Sequence, residues 1–358
     1  MSSRVRQTFA LATPWQTIDP FLFVMHHRDA YPNGNAQLGP DASLAGRTIG
    51  QDFSGTDGWS MYHGATVPGF PQHPHRGFET ITYVRSGLID HADSLGAAAR
   101  YGRGDTQWLT AGAGIVHAEM FPLLDRERAN PLELFQIWLN LPGEDKMADP
   151  HFTMLWSEDT PAFVTVDDAG RATEVVVVAG SLDGHRPPSP PPASWAARPE
   201  ADVALWHLTF GPGARWQLPA AADARTQRVL YVFEGSSLTV DGEIVDAGHG
   251  ALVDASVPLD LAGGRDGVQV LVLQGRPIGE PVAQYGPFVM NDEAGIRQAF
   301  DDYRRTGFGG WPWHRDDPVH DADAPRFARH ADGRVDTREP GDDQPGAPSP
   351  VDTAATPA

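Results

Sequence analysis

Two pairs of side chains in this sequence are spaced as metal ligands on β-strands are. His73 and His75 lie two apart in PGFPQHPHRGFETITYVRSG, residues 68–87, and His117 and Glu119 lie two apart in GDTQWLTAGAGIVHAEMFP, residues 104–122. Residues two apart on a strand point to the same face. The β-branched and aromatic run from Phe78 to Val84 predicts a strand. If that strand begins at His73, then His73, His75 and Glu79 share a face. Two strands, each offering a same-face pair, can converge on one cation. The ordinary alternative is a pair of surface histidines in a turn, which Pro74 between them would suit. The recurrence of the spacing in two glycine-framed segments favours the metal.

Composition narrows the chemistry. The chain has 358 residues, enough for two domains of ordinary size or one large one. It contains no cysteine, so disulfides, thiolate nucleophiles, Fe–S clusters and cysteine–zinc sites are excluded, and any metal must be held by imidazole and carboxylate. A net charge of −20 argues against binding to nucleic-acid phosphates or an anionic membrane surface. The N-terminal stretch has no sustained apolar core of a secretory signal, and no run of 18 apolar residues occurs. A cytoplasmic location is the expectation.

The elements that must position these ligands are short strands. Residues 50–140 read as glycine-separated strands, an antiparallel sandwich or barrel whose central strand is the apolar run LELFQIWLNLP. Residues 1–142 form the first domain and residues 143–173 the connection. Residues 174–309 form a second β unit that echoes the first, with Val229–Glu234 before Gly235 matching Thr80–Arg85 before Gly87. RPPSPPP, residues 186–192, reads as a loop within it. The second unit has no His-x-His, and His207 and His249 stand alone, so one metal per chain is expected. His26 and His27 are adjacent, which on a strand leaves one partly buried and the other exposed, neither a ligand. Asn291 or Asp292 caps a helix with Ile296, Ala299, Phe300 and Tyr303 on one face, stopped by Gly307. Residues 310–358 read as a disordered acidic, Pro-rich tail in which His314, His320 and His330 have no role.

HPHRGFETITYVRSG and GDTQWLTAGAGIVHAEM resemble the pirin family of the cupin superfamily. The likeness continues in DHADSLGA (90–97), LFQIWLNLP (134–142) and EPVAQYGPFVMN (280–291), and runs to Gly309. It implies an all-β fold of two tandem cupin (jelly-roll type) β-barrels, with the metal in the N-terminal one. The ligands it implies are His73, His75, His117 and Glu119. The wider cupin motif uses an acid at the position of Glu79, which here is assigned outside the ligand set, bonding a ligand histidine.

Three imidazoles and one carboxylate suit one divalent ion, Fe(II) in the first place, with Ni, Cu, Mn or Zn also compatible. On an octahedral ion two positions stay open. The resemblance leaves two functions. One is a quercetin 2,3-dioxygenase-type enzyme acting on a flavonol-like aromatic, with Glu119 taking the proton of the 3-hydroxyl. The other is a non-enzymatic, iron-dependent redox-sensing regulator that binds a protein partner. Two cupins in one chain lead to the expectation of a monomer.

Overall fold

The structure is a computed structural model and describes residues 3–338. It is the all-β tandem expected. In the N-terminal unit, a sheet of five strands runs in the order His151–Leu155, Thr106–Thr110, Phe78–Ser86, Asn130–Asn140, Phe21–Tyr31. It faces a second sheet, in which Ile115–Met120 lies between Gly69–His75 and Leu88–Asp93. Val84, Leu109 and Leu134 of the first sheet meet Ile89, Tyr101 and Ile115 of the second in one buried cluster.

The C-terminal unit repeats the plan. Seven strands face four, and Trp206, Leu208, Leu230 and Val232 pack on Leu218, Leu238 and Leu261. The repeat extends to detail. Strand Phe78–Ser86 slips register between Val84 and Ser86, and strand Gln227–Gly235 slips between Val232 and Glu234. A bulge of this kind bends the strand and increases its twist. A left-handed glycine closes each, Gly87 at φ 79° and Gly235 at φ 98°.

The outer faces of the two large sheets pack on each other. Ile81, Tyr83, Trp108, Phe135 and Ile137 from one side meet Val229, Tyr231, Leu271 and Leu273 from the other. Asn130–Asn140 is therefore covered on both faces, which explains why its sequence is a nearly continuous apolar run rather than an alternation. The units also exchange material. Val5–Ala10, expected with the first domain, pairs with His249–Val253 of the second. The expected connection, residues 143–173, contains His151–Leu155 on an edge of the N-terminal sheet and Ala162–Val166 on an edge of the C-terminal one.

The helix is Glu293–Thr306, capped by Asp292, whose side chain accepts from Gly295 N at 2.7 Å, and ended by Gly307 at φ 56°. Ile296 and Ala299 pack with Phe288, Val116 and Phe308. No helix among the described residues is long and apolar enough to cross a membrane.

The expected disordered tail is corrected as far as residue 338. Arg326–Arg329 adds to the edge strand Ala98–Gly102, and Val335–Arg338 adds to it in turn. Trp313 Nε1 donates to Asp93 O at 2.8 Å. His320 has a structural role, its backbone N–H donating to Asp90 Oδ2 at 2.8 Å. The ordering force is polar rather than apolar. Arg100, 1 % exposed, pairs with Asp90 and donates to the carbonyls of His320, Asp321 and Ala324. Arg326 pairs with Asp105 at 2.7 Å, where the acid is fully buried. Buried charges require such partners. Residues 339–358 of the expected tail lie outside the described residues.

Candidate metal centre

The strand pairing brings the two ligand pairs together. His73 stands directly across from His117 in the antiparallel ladder of Gly69–His75 with Ile115–Met120. The register slips between Phe70 and His73, a bulge of one residue that leaves the carbonyl of Pro71 free of the ladder. His73 Nδ1 donates to that carbonyl at 2.8 Å, so its Nε2 carries the lone pair. His75 Nδ1 donates to Pro287 O, at 3.4 Å, in the turn before the C-terminal helix. Ligand atoms of His73, His75 and His117 all lie within 4.8 Å of one another.

Burial holds all three rings neutral. His73 is lowered to about 4, and His75 and His117 fall well below the ordinary imidazole value, desolvation being the main cause. His117 is fully buried, and neither of its nitrogens has a hydrogen-bond partner. A buried polar group without a partner is costly, of the order of 1–3 kcal/mol. Neutral imidazoles converging with a lone pair to spare fit a divalent cation, and such an ion would supply the partner that His117 lacks.

Glu119 stands beside this triad rather than within it. Its Oε2 lies 4.0 Å from His117 Nε2. Oε1 accepts from Thr82 at 3.0 Å and Tyr101 at 3.5 Å, and Oε2 accepts from Gln136 at 3.2 Å. Burial raises its pKa against these hydrogen bonds.

Glu79 is corrected. Its carboxylate bonds no ligand histidine; it accepts from Thr110 at 2.7 Å and Ser194 at 2.5 Å. The assumption of one continuous strand from His73 fails at Arg76-Gly77, where Gly69–His75 ends and Phe78–Ser86 begins. Gly77 has φ +84°, and a Cβ there would lie 1.9 Å from Val289 O. The turn resets the alternation, and Glu79 points between the two units. Arg76 anchors the same turn, donating to Ala113 O at 2.6 Å and Asp302 at 2.9 Å on the helix. Desolvation pushes Glu79 up from 4.5 to about 7. A raised folded pKa means the fold takes up a proton, so the penalty is largest above pH 7 and is relieved as pH falls towards 4.5. Glu79→Gln is therefore expected to exceed the native protein in stability by about 2–3 kcal/mol at pH 8, with the gap narrowed to about 1 kcal/mol or less at pH 5, in denaturant melts at both pH values.

One nearby histidine escaped the sequence reading. His91 faces the cluster on the neighbouring strand, 5.6 Å from the His117 ring. It donates from Nε2 to Asp93 and accepts at Nδ1 from Gln107, so both nitrogens are spent and it orients rather than ligates. The alternation in DHAD was the available signal. His26 and His27 are both shielded, contrary to the expected exposed partner. His26 donates to Glu133 at 2.8 Å and stacks on Phe135. His27 is 8 % exposed.

Three of the four candidate ligands open on a cavity of about 210 Å³. His73, His75 and Glu119 form its floor, with Thr82 and Gln136. Phe23, Met25, Phe70, Phe121, Leu134 and Trp138 form apolar walls, and Phe53, 56 % exposed, stands at its edge. In the C-terminal unit the equivalent interior is filled by Leu, Val and Trp side chains.

Comparison with known proteins agrees with this geometry. The family model described as Pirin matches residues 2–139, and that described as Pirin C-terminal cupin domain matches residues 205–309. A pirin-like protein of Caulobacter vibrioides is 35 % identical over 305 residues, covering 85 % of this chain and 93 % of the relative. A Pseudomonas aeruginosa protein with the provisional name quercetin 2,3-dioxygenase is 38 % identical over 241 residues, 67 % of this chain and 79 % of the relative. The crystal structure of a quercetin 2,3-dioxygenase from Acinetobacter baumannii superimposes with a TM-score of 0.63 at 25 % identity, covering 81 % of this chain and 86 % of that one.

Proposed function

Since the chain belongs to the pirin family and is built of two cupin domains, we propose that it is a metal-dependent dioxygenase acting on a flavonol-like aromatic. His73, His75 and His117 hold one divalent ion, Fe(II) in the first place, and Glu119 completes the set. The observation that carries this reading is His117, fully buried with both nitrogens unpartnered, at the focus of three neutral imidazoles. A bound ion would supply Lewis acidity towards a hydroxyl and, as iron, one-electron chemistry with dioxygen.

The chain's own residues do the rest. The apolar walls accept a flat ring system and exclude bulk water. Glu119, whose Oε2 lies 4.0 Å from His117 Nε2, takes the proton of the substrate's 3-hydroxyl. Thr82, Tyr101 and Gln136 fix the orientation of that carboxylate. The overall reaction is oxygen-dependent cleavage of the central flavonol ring with release of carbon monoxide.

Iron-loaded protein mixed with quercetin in oxygenated buffer should consume the flavonol, followed by its visible absorbance. Glu119→Ala is expected to lower turnover by at least a hundredfold, within the range of general acid–base contributions. Undiminished turnover in that variant refutes its role. Metal retained without flavonol consumption would move the reading to iron-dependent binding of a protein partner.

A further inference from the structure

The wall of the cavity contains an imidazole that the proposed chemistry does not use. His27 lines the same cavity as His73, His75 and Glu119. It is 8 % exposed. Among the described residues, its ring makes edge contacts with Tyr62 and Phe70, at 5.0 and 5.8 Å between centroids, and no hydrogen bond. Tyr62 is not available to it, because its hydroxyl donates to Asp29 at 2.7 Å. Of the other lining side chains, Thr82 and Gln136 bind Glu119, His73 binds Pro71 and His75 binds Pro287. An imidazole set in an aromatic wall and unbonded within the protein keeps both its nitrogens for a ligand that enters the cavity.

Burial and the neighbouring His26 lower His27 to about 4, so the ring is neutral near pH 7 and offers one N–H and one lone pair. A hydroxyl complements either tautomer, because it both donates and accepts. An anion is a poor match, since the lining contains no Arg or Lys and already contains Glu119.

We propose that His27 is a specificity-determining residue, which hydrogen-bonds a phenolic hydroxyl on the part of the substrate remote from the group held at the metal. The proposal rests on the metal-dependent aromatic-binding reading above and narrows it to neutral polyphenols. Bare flavonols lacking a second hydroxyl would gain nothing from His27.

Binding without turnover tests this. Zinc-loaded protein under argon is titrated with quercetin and with 3-hydroxyflavone, which keeps the chelating pair and has no other hydroxyl. Quenching of tryptophan fluorescence reports occupancy, because Trp138 lines the cavity. His27→Phe, which suits the aromatic surroundings, is expected to weaken quercetin binding about tenfold and to leave 3-hydroxyflavone within about twofold. His27→Gln, which keeps a donor and an acceptor, should recover part of the loss. Equal changes for both probes, or none, would overturn the proposal. Metal content measured on the same samples separates the two readings. Protein that retains no zinc yet shows the same His27-dependent discrimination would overturn the metal assignment while supporting His27.

Discussion

Replacing His117 by leucine is expected to remove the metal and, at the same time, to stabilise the metal-free protein. The first effect follows from its position, across the ladder from His73 and at the centre of the triad. A site reduced to His73, His75 and a carboxylate should fall from one bound ion to a small fraction of that, measured by elemental analysis after desalting. The second effect is less intuitive. His117 is fully buried and neither nitrogen is bonded, so the metal-free fold bears the desolvation of both. Leucine of similar volume removes that cost, and a gain of about 1–3 kcal/mol is expected in urea melts with chelator present. A role in core packing alone would leave the metal content unchanged, whatever the change in stability.

Ending the chain at Gly310 is expected to cost about 3–5 kcal/mol, the scale of breaking a buried ion pair from one side. Without Arg326, the fully buried Asp105 keeps only its bonds from the Gly102 and Ser157 backbones. Without residues 320–324, Arg100 loses the carbonyls of His320, Asp321 and Ala324 and keeps only Asp90. The edge strand Ala98–Gly102 also loses its neighbour. A chain ended after Arg338 keeps every one of these contacts and should retain this stability of about 3–5 kcal/mol. Two indistinguishable melts would show that the segment merely lies on the surface.

The same segment shows where reading a sequence reaches its limit. Residues 310–338 are poor in large apolar groups, and hydrophobicity is the signal by which order is ordinarily judged. Their order comes from arginines and carbonyls answering acids and arginines some 220 positions earlier, as in Arg100 to Asp321 and Arg326 to Asp105. No local pattern encodes such a match. The two-apart ligand spacing was legible because it is a property of one strand at a time. Convergence of the pairs follows once Gly69–His75 and Ile115–Met120 are neighbours. Glu79 was misplaced because parity counting presumes an unbroken strand, and Gly77 breaks it. The tandem plan was readable from the recurring strand–glycine punctuation, down to the paired bulges near Val84 and Val232. The exchange of Val5–Ala10 was not, because an exposed edge pairing has no signature of its partner.

The reach of Pro287 to His75 has a bearing on modularity. Every proposed ligand is encoded within fewer than fifty consecutive residues, yet the acceptor that sets the tilt of one imidazole arrives from far beyond the linker. With the opening strand lent to the other half, neither half is a self-sufficient building block. A gene fragment spanning the ligands would inherit the donor atoms without the scaffold that aims them, so this architecture is transmitted whole or not at all.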